Sequence, residues 1–424
     1  MALIFSDDVD VPNISNENSD MNVGEFDQEN IEKVENTESY DADKSSAENQ
    51  TSEVDIQLVE RIEQEVLTSD QIKASKDLNL SLSSFLKNNF KIEENTFSKK
   101  TISTGIDVLD AVLGGGVGMG FVQFVGPPGS GKSALVSKII ATGQRKYPGK
   151  FIAIYADSEV SMSTDRLAQL GVKYPKLRPY TDITVEKVFK FVEAMCSFKE
   201  NNPQYLDYPS VIVWDSLANT LTEKGIDTED PNAVLGEKAR ILSFLLPKYV
   251  PKLERYNISL LAINQLRDKI DMGYFKKPNE LKYMGEKVLP GGESTKFNSF
   301  QLFFLRPTTD LKGEYGFSGT KVVGKCVKNK LFAPNIEISM VFSFKNGFSN
   351  FFTNYELLKE TKRVKAGAWC SLISMPEIKF RQIELAKIYK TNPKFKEIFD
   401  QEVKDAIKAE FIDKYSTKEP DDDL

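Results

Sequence analysis

A glycine-rich segment that ends in a lysine and a serine is the part of this sequence best suited to chemistry. Residues 126–133 read GPPGSGKS and match the pattern G-x-x-x-x-G-K-S between a predicted strand and a predicted helix. Glycines let backbone N–H groups surround an anion, and the N-terminus of the following helix adds partial positive charge. Lys132 can reach the β- and γ-phosphates of a nucleotide, and the Ser133 hydroxyl can bind Mg²⁺. The segment predicts a phosphate loop for ATP and Mg²⁺, with a chance match by a glycine-rich turn as the alternative.

Two acidic residues and an amide follow other apolar runs: Asp215 ends VIVWD, Glu159 ends IAIYADSE, and Gln265 follows SLLAIN. Because parallel strands bind ligands at their carboxyl ends, we expect both carboxylates to face the phosphates. An amide of the Asn264-Gln265 pair could also meet the γ-phosphate there. Asp215 suits a Mg²⁺ contact, and Glu159 is the candidate for orienting and deprotonating the attacking water. The chain has no histidine, which favours Glu159 as the base, whereas a helix N-cap is the alternative role for either carboxylate. The predicted nucleotide-binding residues, with Ser133 and Asp215 as Mg²⁺ ligands, are Gly126, Pro127, Pro128, Gly129, Ser130, Gly131, Lys132, Ser133, Ala134 and Asp215.

Short apolar runs alternate with amphipathic segments between roughly residues 100 and 350. The runs FVQFV, FIAIYA, VIVW and ISLLAIN are typical of buried strands, and segments 133–147 and 184–198 have helical spacing. This alternation predicts crossover units and an α/β fold with a twisted, mostly parallel sheet that is covered on both faces. Further strands rich in Val and Phe are predicted at 299–305, 320–327 and 336–344.

Composition divides the chain into four predicted parts. Residues 1–54 are rich in Asp, Glu, Asn and Ser, which predicts an acidic disordered arm. Residues 55–100 contain two short apolar segments, which predict an N-terminal helical or oligomerisation element. Residues 101–350 form the predicted α/β core, and residues 351–424 are predicted to form a small C-terminal helical domain with an acidic tail.

Charge is distributed unevenly along the chain. Residues 1–60 hold 17 of the 62 acidic residues but only 2 of the 55 basic ones, which leaves 45 acidic and 53 basic residues and a net charge of +8 in the remainder. A basic body with an acidic arm suits a polyanion-binding protein whose arm competes for the same surface, and a solubilising tail is the alternative. The three cysteines lie far apart without metal-binding spacing, and no apolar run reaches membrane-spanning length. These features favour a soluble protein of a reducing cytoplasm.

Several motifs, taken together with the phosphate loop, resemble the RecA recombinases. They occur in colinear order over about residues 80–370 and include YADSEV, VIVWDS, AINQLRDKI, GGESTKF, KCVKNKLFAPNIE and KAGAWCS. The stretch KYPGKFIAIYADSE is similar to the bacteriophage UvsX-type branch of these proteins. The resemblance implies a RecA-like ATPase core. It also implies that the protein forms a homo-oligomeric, ATP-dependent filament on single-stranded DNA. This filament would pair with homologous double-stranded DNA and exchange strands. Mediator and single-strand-binding proteins are implied as partners.

The resemblance also implies roles for residues at matching positions. Glu159 corresponds to the catalytic glutamate, Asp215 to the Walker B aspartate and Gln265 to the γ-phosphate sensor. Lys328 and Lys330 of KNK correspond to lysines that reach the ATP of the neighbouring subunit. The implied catalytic residues are thus Glu159, Lys132, Gln265, Lys328 and Lys330.

Two DNA-binding loops are implied at about residues 222–236 and 270–292. In the second loop, aromatic residues alternate with lysines, which suits base stacking and phosphate neutralisation on a single strand. A mobile surface loop with solvated charges is the alternative. The predicted DNA-binding residues, some within the second loop and some beside the loops, are Arg240, Arg267, Tyr274, Phe275, Lys276, Lys277 and Lys296.

The sequence departs from the RecA pattern near the adenine. Ser163 stands four positions after Glu159, where many relatives have an acidic residue. Phe344 corresponds to the aromatic residue against the base, and core packing explains it equally well. Two other functions stay open: a hexameric helicase or other motor on the same fold, and a regulatory paralogue without catalysis. KNK in place of an arginine finger favours the recombinase, and the intact Lys132, Glu159 and Asp215 argue against the paralogue.

Overall fold

The computed structural model describes residues 100–160, 162–173, 180–229, 236–268 and 287–415. The predicted acidic arm, the 55–100 element up to residue 99, and the acidic tail lie outside these residues. The strands are β1 (Thr101–Ile102), β2 (Val117–Gly118), β3 (Gly120–Val125), β4 (Ile152–Asp157), β5 (Ser210–Asp215), β6 (Ile258–Asn264), β7 (Arg267–Asp268), β8 (Lys287–Val288), β9 (Gln301–Lys312), β10 (Ser318–Asn329), β11 (Ile336–Ser343), β12 (Gly347–Ser349), β13 (Val364–Lys365), β14 (Cys370–Leu372) and β15 (Met375–Phe380). The α-helices are α1 (Asp107–Leu113), α2 (Lys132–Lys146), α3 (Thr164–Gln169), α4 (Val185–Asn201), α5 (Glu223–Asp227), α6 (Glu237–Arg255), α7 (Glu293–Asn298), α8 (Asn350–Glu360), α9 (Leu385–Thr391), α10 (Pro393–Ile407) and α11 (Asp413–Tyr415). Within the described part of the chain, no helix is long and apolar enough to cross a membrane.

An eight-stranded sheet forms the centre of the described structure, in the order β12-β11-β10-β9-β3-β6-β5-β4. The strands from β9 to β4 run parallel to one another, and their order requires crossovers through helices. Strands β10, β11 and β12 continue the sheet by antiparallel pairing. The predicted α/β fold with a mostly parallel sheet is therefore confirmed, and the strand predicted from ISLLAIN coincides with β6.

Both faces of the parallel strands are buried. Every residue of β3, β4, β5 and β6 is buried, which explains why these strands appear in the sequence as continuous apolar runs. Successive side chains alternate between two apolar clusters, so that Val213 belongs to one and Trp214 to the other. One cluster includes residues of α1, α2 and the segment after residue 350, and the other includes residues of α4 and α6. The sheet is thus held between two layers of helices, which fixes its carboxyl edge in place.

The segment after residue 350 differs from the purely helical structure that the sequence predicts. Helix α8 begins at residue 350, and a three-stranded antiparallel sheet of β13, β14 and β15 precedes α9 and α10. These strands are only 2, 3 and 6 residues long, too short for a clear period of alternation in the sequence. Phe380 and Phe399 belong to the same apolar cluster as the helices on one face of the central sheet.

Candidate nucleotide-binding and catalytic site

The phosphate loop connects β3 to α2 at the carboxyl edge of the parallel strands. Gly131 is the N-cap of α2 and has a φ of 86°, in the left-handed region that favours glycine. A Cβ at Gly131 would lie 2.9 Å from the ring of Phe348, and one at Gly126 would lie 2.3 Å from the carbonyl oxygen of Leu305. The loop can therefore keep this path only with glycine at both positions, which leaves its backbone N–H groups near the start of a 15-residue helix.

Lys132 is the first residue of α2, and its ammonium group turns back over the loop. Nζ donates hydrogen bonds to the carbonyl oxygens of Gly126 at 3.0 Å and Pro127 at 2.8 Å. Burial lowers the pKa of Lys132, while the charges of Asp215 and Glu159 act in the opposite direction. The Lys132 side chain is thus a buried hydrogen-bond donor, and it lies where its Nζ could donate to phosphate oxygens in place of the two carbonyl oxygens.

Ser133 and Asp215 are joined by a hydrogen bond across the edge of the sheet. Ser133 Oγ donates to Asp215 Oδ2 at 2.8 Å, and the hydroxyl of Tyr155 donates to the same oxygen at 2.8 Å. Asp215 is 1% exposed. Burial raises its pKa to about 6, although the hydrogen bonds from Ser133 and Tyr155 lower it. Burial also raises the pKa of Tyr155, so that its hydroxyl remains a neutral donor.

The donor set of Ser133 and Asp215 fits Mg²⁺. A hydroxyl and a carboxylate are hard oxygen ligands, which Mg²⁺ prefers. No group of three or more Cys, Asp or Glu side chains in the described residues is arranged to hold a metal ion. Mg²⁺ keeps several waters and needs only one or two protein groups together with substrate phosphates, which Ser133 and Asp215 can supply.

Glu159 lies two residues beyond the end of β4, and a single oxygen of its carboxylate receives three hydrogen bonds. Oε1 accepts from Asn219 Nδ2 at 2.8 Å, from Gln265 Nε2 at 2.8 Å and from Ser216 Oγ. The next residue, Val160, has a φ of 52°, a left-handed conformation that is uncommon for a β-branched residue. The turn after β4 therefore places this carboxylate beside residues that follow β5 and β6.

A cavity of about 490 Å³ joins these groups. One part of its wall consists of the phosphate loop, Glu159, Asp215 and Gln265. The other part comes from residues in or near α3 and the β11–β12 turn. The lining consists of Pro128, Gly129, Gly131, Lys132, Ser133, Ala134, Glu159, Met162, Arg166, Leu170, Asp215, Ile263, Gln265, Phe342 and Phe344. A larger cavity of about 830 Å³ lies beside α8 and α10, and its lining contains no residue of the phosphate loop. The smaller cavity is the candidate site because it contains the phosphate-binding groups.

Comparison with protein families matches residues 84–349 to the RecA N-terminal domain. The chain belongs to the RecA family. It is 29% identical over 311 residues to Protein RecA of Crocosphaera subtropica, and the alignment covers 73% of this chain and 83% of that protein. The predicted family is thus confirmed, and the protein is a RecA-family recombinase. RecA-family proteins are DNA-dependent ATPases that bind ATP with Mg²⁺ and form homo-oligomeric filaments on DNA.

The two lysines that RecA-family resemblance assigns to a neighbouring subunit's site lie at the end of β10. Lys328 Nζ donates to the carbonyl oxygens of Lys296, at 3.0 Å, and Phe297, near the end of α7. Lys330 lies over the ring of Phe300, with its Nζ 5.6 Å from the ring centroid. Neither lysine lines the described part of the nucleotide cavity of its own chain.

The predicted DNA-binding residues are only partly within the described structure. Lys296 lies on α7 and forms an ion pair with Glu293 at 3.0 Å, while Arg240 is exposed on α6. Arg267 contributes its backbone to β7, which precedes the second predicted loop and pairs with β8, inside the C-terminal part of that loop. Residues 269–286, with Tyr274, Phe275, Lys276 and Lys277, lie outside the described residues. The first predicted loop contains a short helix, α5, which Thr222 caps by accepting a hydrogen bond from the N–H of Gly225 at 3.0 Å.

Several site residues of this RecA-family chain were missed by reasoning from the sequence. Tyr155 lies within an apolar strand run and gave no signal apart from its hydroxyl. Asn219 and Ser216 lie within four residues of Asp215, but only the folded structure shows that their side chains converge on Glu159. Arg166 lines the cavity as well. Ser163, at which the sequence departs from the RecA pattern, caps α3 by accepting a hydrogen bond from the N–H of Arg166 at 3.1 Å. A serine at this position therefore has a structural role.

Proposed function

We propose that this protein is a DNA-dependent ATPase that assembles as a helical filament on single-stranded DNA, pairs it with homologous duplex and exchanges strands. The observation that carries the proposal is that Lys132, Glu159 and Asp215 line one cavity at the carboxyl edge of the parallel strands. Membership of the RecA family supports DNA as the polymer and recombination as the process. The likeness of KYPGKFIAIYADSE to UvsX-type sequences is part of the same proposal.

The proposed nucleotide site uses the phosphate loop from Gly126 to Ala134. Its backbone N–H groups and the N-terminus of α2 stabilise the negative charge of the phosphates. The Lys132 ammonium, which now contacts two carbonyl oxygens, would donate to β- and γ-phosphate oxygens instead. Ser133 and Asp215 would hold Mg²⁺, which when bound neutralises charge that develops on the phosphates.

Hydrolysis in this scheme depends on Glu159. Its carboxylate would accept a proton from water as the water oxygen forms a bond to the γ-phosphorus. The bond between this phosphorus and the β–γ bridging oxygen then breaks, and ADP and phosphate are released. Gln265, whose amide contacts Glu159 at 2.8 Å, lies close enough to orient either the water or the γ-phosphate.

The adenine is proposed to bind between α3 and the β11–β12 turn. Phe344 is 54% exposed and lines the cavity, so its ring is available for stacking and is not a core residue. The Arg166 guanidinium donates to the carbonyl oxygens of Phe344 at 3.0 Å and Lys345 at 2.9 Å, which fixes this turn beside the cavity. The two side chains would offer an aromatic face and a cationic plane to the base.

DNA is proposed to bind at residues 222–236 and 270–292, with Arg240, Arg267 and Lys296 as phosphate contacts beside them. In the second segment, Tyr274 and Phe275 would stack on bases while Lys276 and Lys277 neutralise phosphates. Double-stranded DNA would be the second substrate. Mediator and single-strand-binding proteins complete the proposed set of partners.

Each filament interface is proposed to complete a catalytic site. Lys328 and Lys330 would reach the ATP of the adjacent subunit and stabilise charge on the transferred phosphoryl group. Residues 55–100 are proposed as an oligomerisation element, and residues 1–54 as a disordered acidic arm. The described cysteines, Cys196, Cys326 and Cys370, are all free and buried, which supports action in a reducing cytoplasm.

A strand-exchange assay with homologous and heterologous duplexes tests this function. We expect ATP-dependent exchange only with the homologous duplex, and electron microscopy should show helical filaments on single-stranded DNA. The Lys132→Ala variant is the control, because it lacks the ammonium group that the loop directs at the phosphates. Closed rings that unwind DNA would identify a helicase instead. A protein that binds nucleotide without DNA-stimulated hydrolysis would identify a regulatory paralogue.

A further inference from the structure

The side chain of Asn219 contacts the residue proposed as the general base. Its Nδ2 donates to Glu159 Oε1 at 2.8 Å, where the Ser216 hydroxyl and the Gln265 amide donate as well. Among the described residues, no donor contacts the other oxygen, Oε2. One carboxylate oxygen is thus saturated by three donors, while the second is left to accept a proton from water.

Asn219 belongs to a turn that hydrogen bonds hold rigidly against the sheet. Thr220 Oγ1 accepts from the buried indole of Trp214 at 2.7 Å and donates to the carbonyl oxygen of Ser216 at 2.7 Å. The backbone N–H of Leu217 donates to the carbonyl oxygen of Ile263, on β6, at 2.9 Å. A donor on such a turn can fix the direction of a carboxylate within a narrow range.

Gln265 cannot serve as the permanent anchor of this carboxylate. In the proposed function its amide orients the water or the γ-phosphate, so its hydrogen bond to Glu159 competes with that contact. Ser216 and Asn219 then remain as the donors to Oε1. With only Ser216 the carboxylate could still rotate, because one hydrogen bond fixes a distance but leaves torsional freedom.

We propose that Asn219 is a positioning residue, which together with Ser216 holds Glu159 Oε1 so that Oε2 faces the attacking water. The role rests on the proposed ATPase function. It acts through Glu159 and involves no contact of Asn219 with ATP. Its loss therefore lowers the rate of the chemical step and leaves nucleotide binding intact.

The test compares Asn219→Ala with the wild-type full-length protein in steady-state, DNA-stimulated ATP hydrolysis. We expect kcat to fall about tenfold, since misplacement of a catalytic group by about an ångström can cost up to a hundredfold. The KM for ATP and the affinity for a fluorescent ATP analogue should change less than twofold. Asn219→Asp has the same shape but replaces the donor with a negative charge, so its kcat should fall at least as far. An unchanged kcat in both variants would overturn the proposal.

A double-mutant cycle separates positioning from a general structural effect. In the Glu159→Gln background, Asn219→Ala should change the residual turnover less than twofold, because the group that it positions has lost its basic oxygen. An equal loss of kcat in both backgrounds would show that Asn219 does not act through Glu159. Asn202→Ala is the matched control, since it removes an amide that donates to the carbonyl oxygen of Phe198, at the end of α4, at 2.8 Å. A wild-type protein without DNA-stimulated hydrolysis would refute the proposed function itself, and this role with it.

Discussion

At the scale of single residues, the hydroxyl of Tyr155 is a polar group on a side chain that packs in an apolar cluster. The side chain is fully buried and its ring belongs to an apolar cluster, yet the hydroxyl reaches Asp215 Oδ2 at 2.8 Å. Ser133 donates to the same oxygen. Tyr155 therefore helps to hold the Asp215 carboxylate toward the residue with which it would share Mg²⁺.

We expect Tyr155→Phe to fold normally, because the ring that packs in the cluster is kept. Loss of one hydrogen bond to a buried carboxylate should lower the free energy of unfolding by about 1–3 kcal/mol. The Mg²⁺ concentration that supports half-maximal binding of a fluorescent ATP analogue should rise several-fold. The matched control is Tyr389→Phe, which removes a 2.7 Å hydrogen bond to Asp400 away from the nucleotide cavity. Equal Mg²⁺ dependence in the two variants would show that Tyr155 only stabilises the fold.

The contrast between predicted and missed residues has a physical reason. Lys132 belongs to a contiguous motif, and Asp215 ends an apolar run, so spacing along the chain places both at the sheet edge. Tyr155 contacts Asp215, and Asn219 contacts Glu159, and the two residues of each pair are 60 positions apart in the sequence. Such contacts depend on which strands become neighbours, and composition or periodicity carries no information about that.

At the scale of elements, the end of β10 is tied to α7. The Lys328 ammonium donates to two carbonyl oxygens near the end of α7, and partial burial lowers its pKa. The same ammonium lies 5.6 Å from the ring centroid of Phe297, which is 81% exposed. An exposed aromatic residue of this kind suits a surface that a neighbouring subunit covers in the proposed filament.

Lys328→Ala should therefore suppress DNA-stimulated ATP hydrolysis while each chain still binds ATP. Mixing this variant with Lys132→Ala gives the decisive measurement. Interfaces that pair an intact phosphate loop with an intact KNK motif should recover part of the turnover in an ATPase assay. Absence of recovery in filaments shown to contain both proteins would contradict a site shared between subunits.

Lys199 links three elements on the opposite side of the sheet from the phosphate loop. It lies on α4, and its Nζ donates to the carbonyl oxygens of Tyr208, before β5, and Tyr256, before β6, both at 2.6 Å. Burial lowers its pKa from 10.5 to about 7. A neutral amine keeps two N–H groups, which is enough for two carbonyl acceptors.

The sign of the resulting pH dependence follows from this lowered pKa. Between pH 7 and the ordinary lysine value the unfolded chain binds more protons, so stability rises with pH. Relative to Lys199→Met, the wild-type free energy of unfolding should increase by on the order of 2 kcal/mol from pH 7 to pH 9. Urea unfolding at several pH values measures this difference. Lys190→Met, which removes an exposed ion pair with Glu223, is the control and should follow the wild-type curve.

Elements were predicted with different success for reasons of length and burial. Strand β6 was predicted with its observed bounds because all its residues are buried, which makes an uninterrupted apolar run. Strands β9 and β10 are longer than predicted. The second half of β9 is mostly exposed, and β10 alternates between buried and partly buried residues, so neither strand forms an uninterrupted apolar run over its full length. The small sheet of β13, β14 and β15 gave no signal at all in its short strands.

At the scale of the whole molecule, charge separates the arm from the body. Residues 1–60 contain 17 acidic and 2 basic residues, whereas the remainder of the chain has a net charge of +8. We expect deletion of residues 1–54 to tighten binding of single-stranded DNA, because the arm no longer competes for the basic surface. The gain should shrink as salt rises, which a fluorescence anisotropy titration at several ionic strengths would measure. Equal affinity with and without the arm at low salt would leave it only a solubilising role.

The position of β3 in the sheet has a consequence for synthesis on the ribosome. This strand ends at the phosphate loop, but its two neighbours are β6, which begins at Ile258, and β9, which begins at Gln301. A nascent chain that stops before Ile258 already contains Lys132, Glu159 and Asp215, yet β3 has no partner strand on either side. Pairing across such sequence separation comes late, so nascent chains stalled at that length should not be retained by immobilised ATP, while chains that extend past β9 should be. We therefore expect the phosphate loop, although its sequence is complete within the first third of the chain, to bind nucleotide only after most of the chain has emerged from the ribosome.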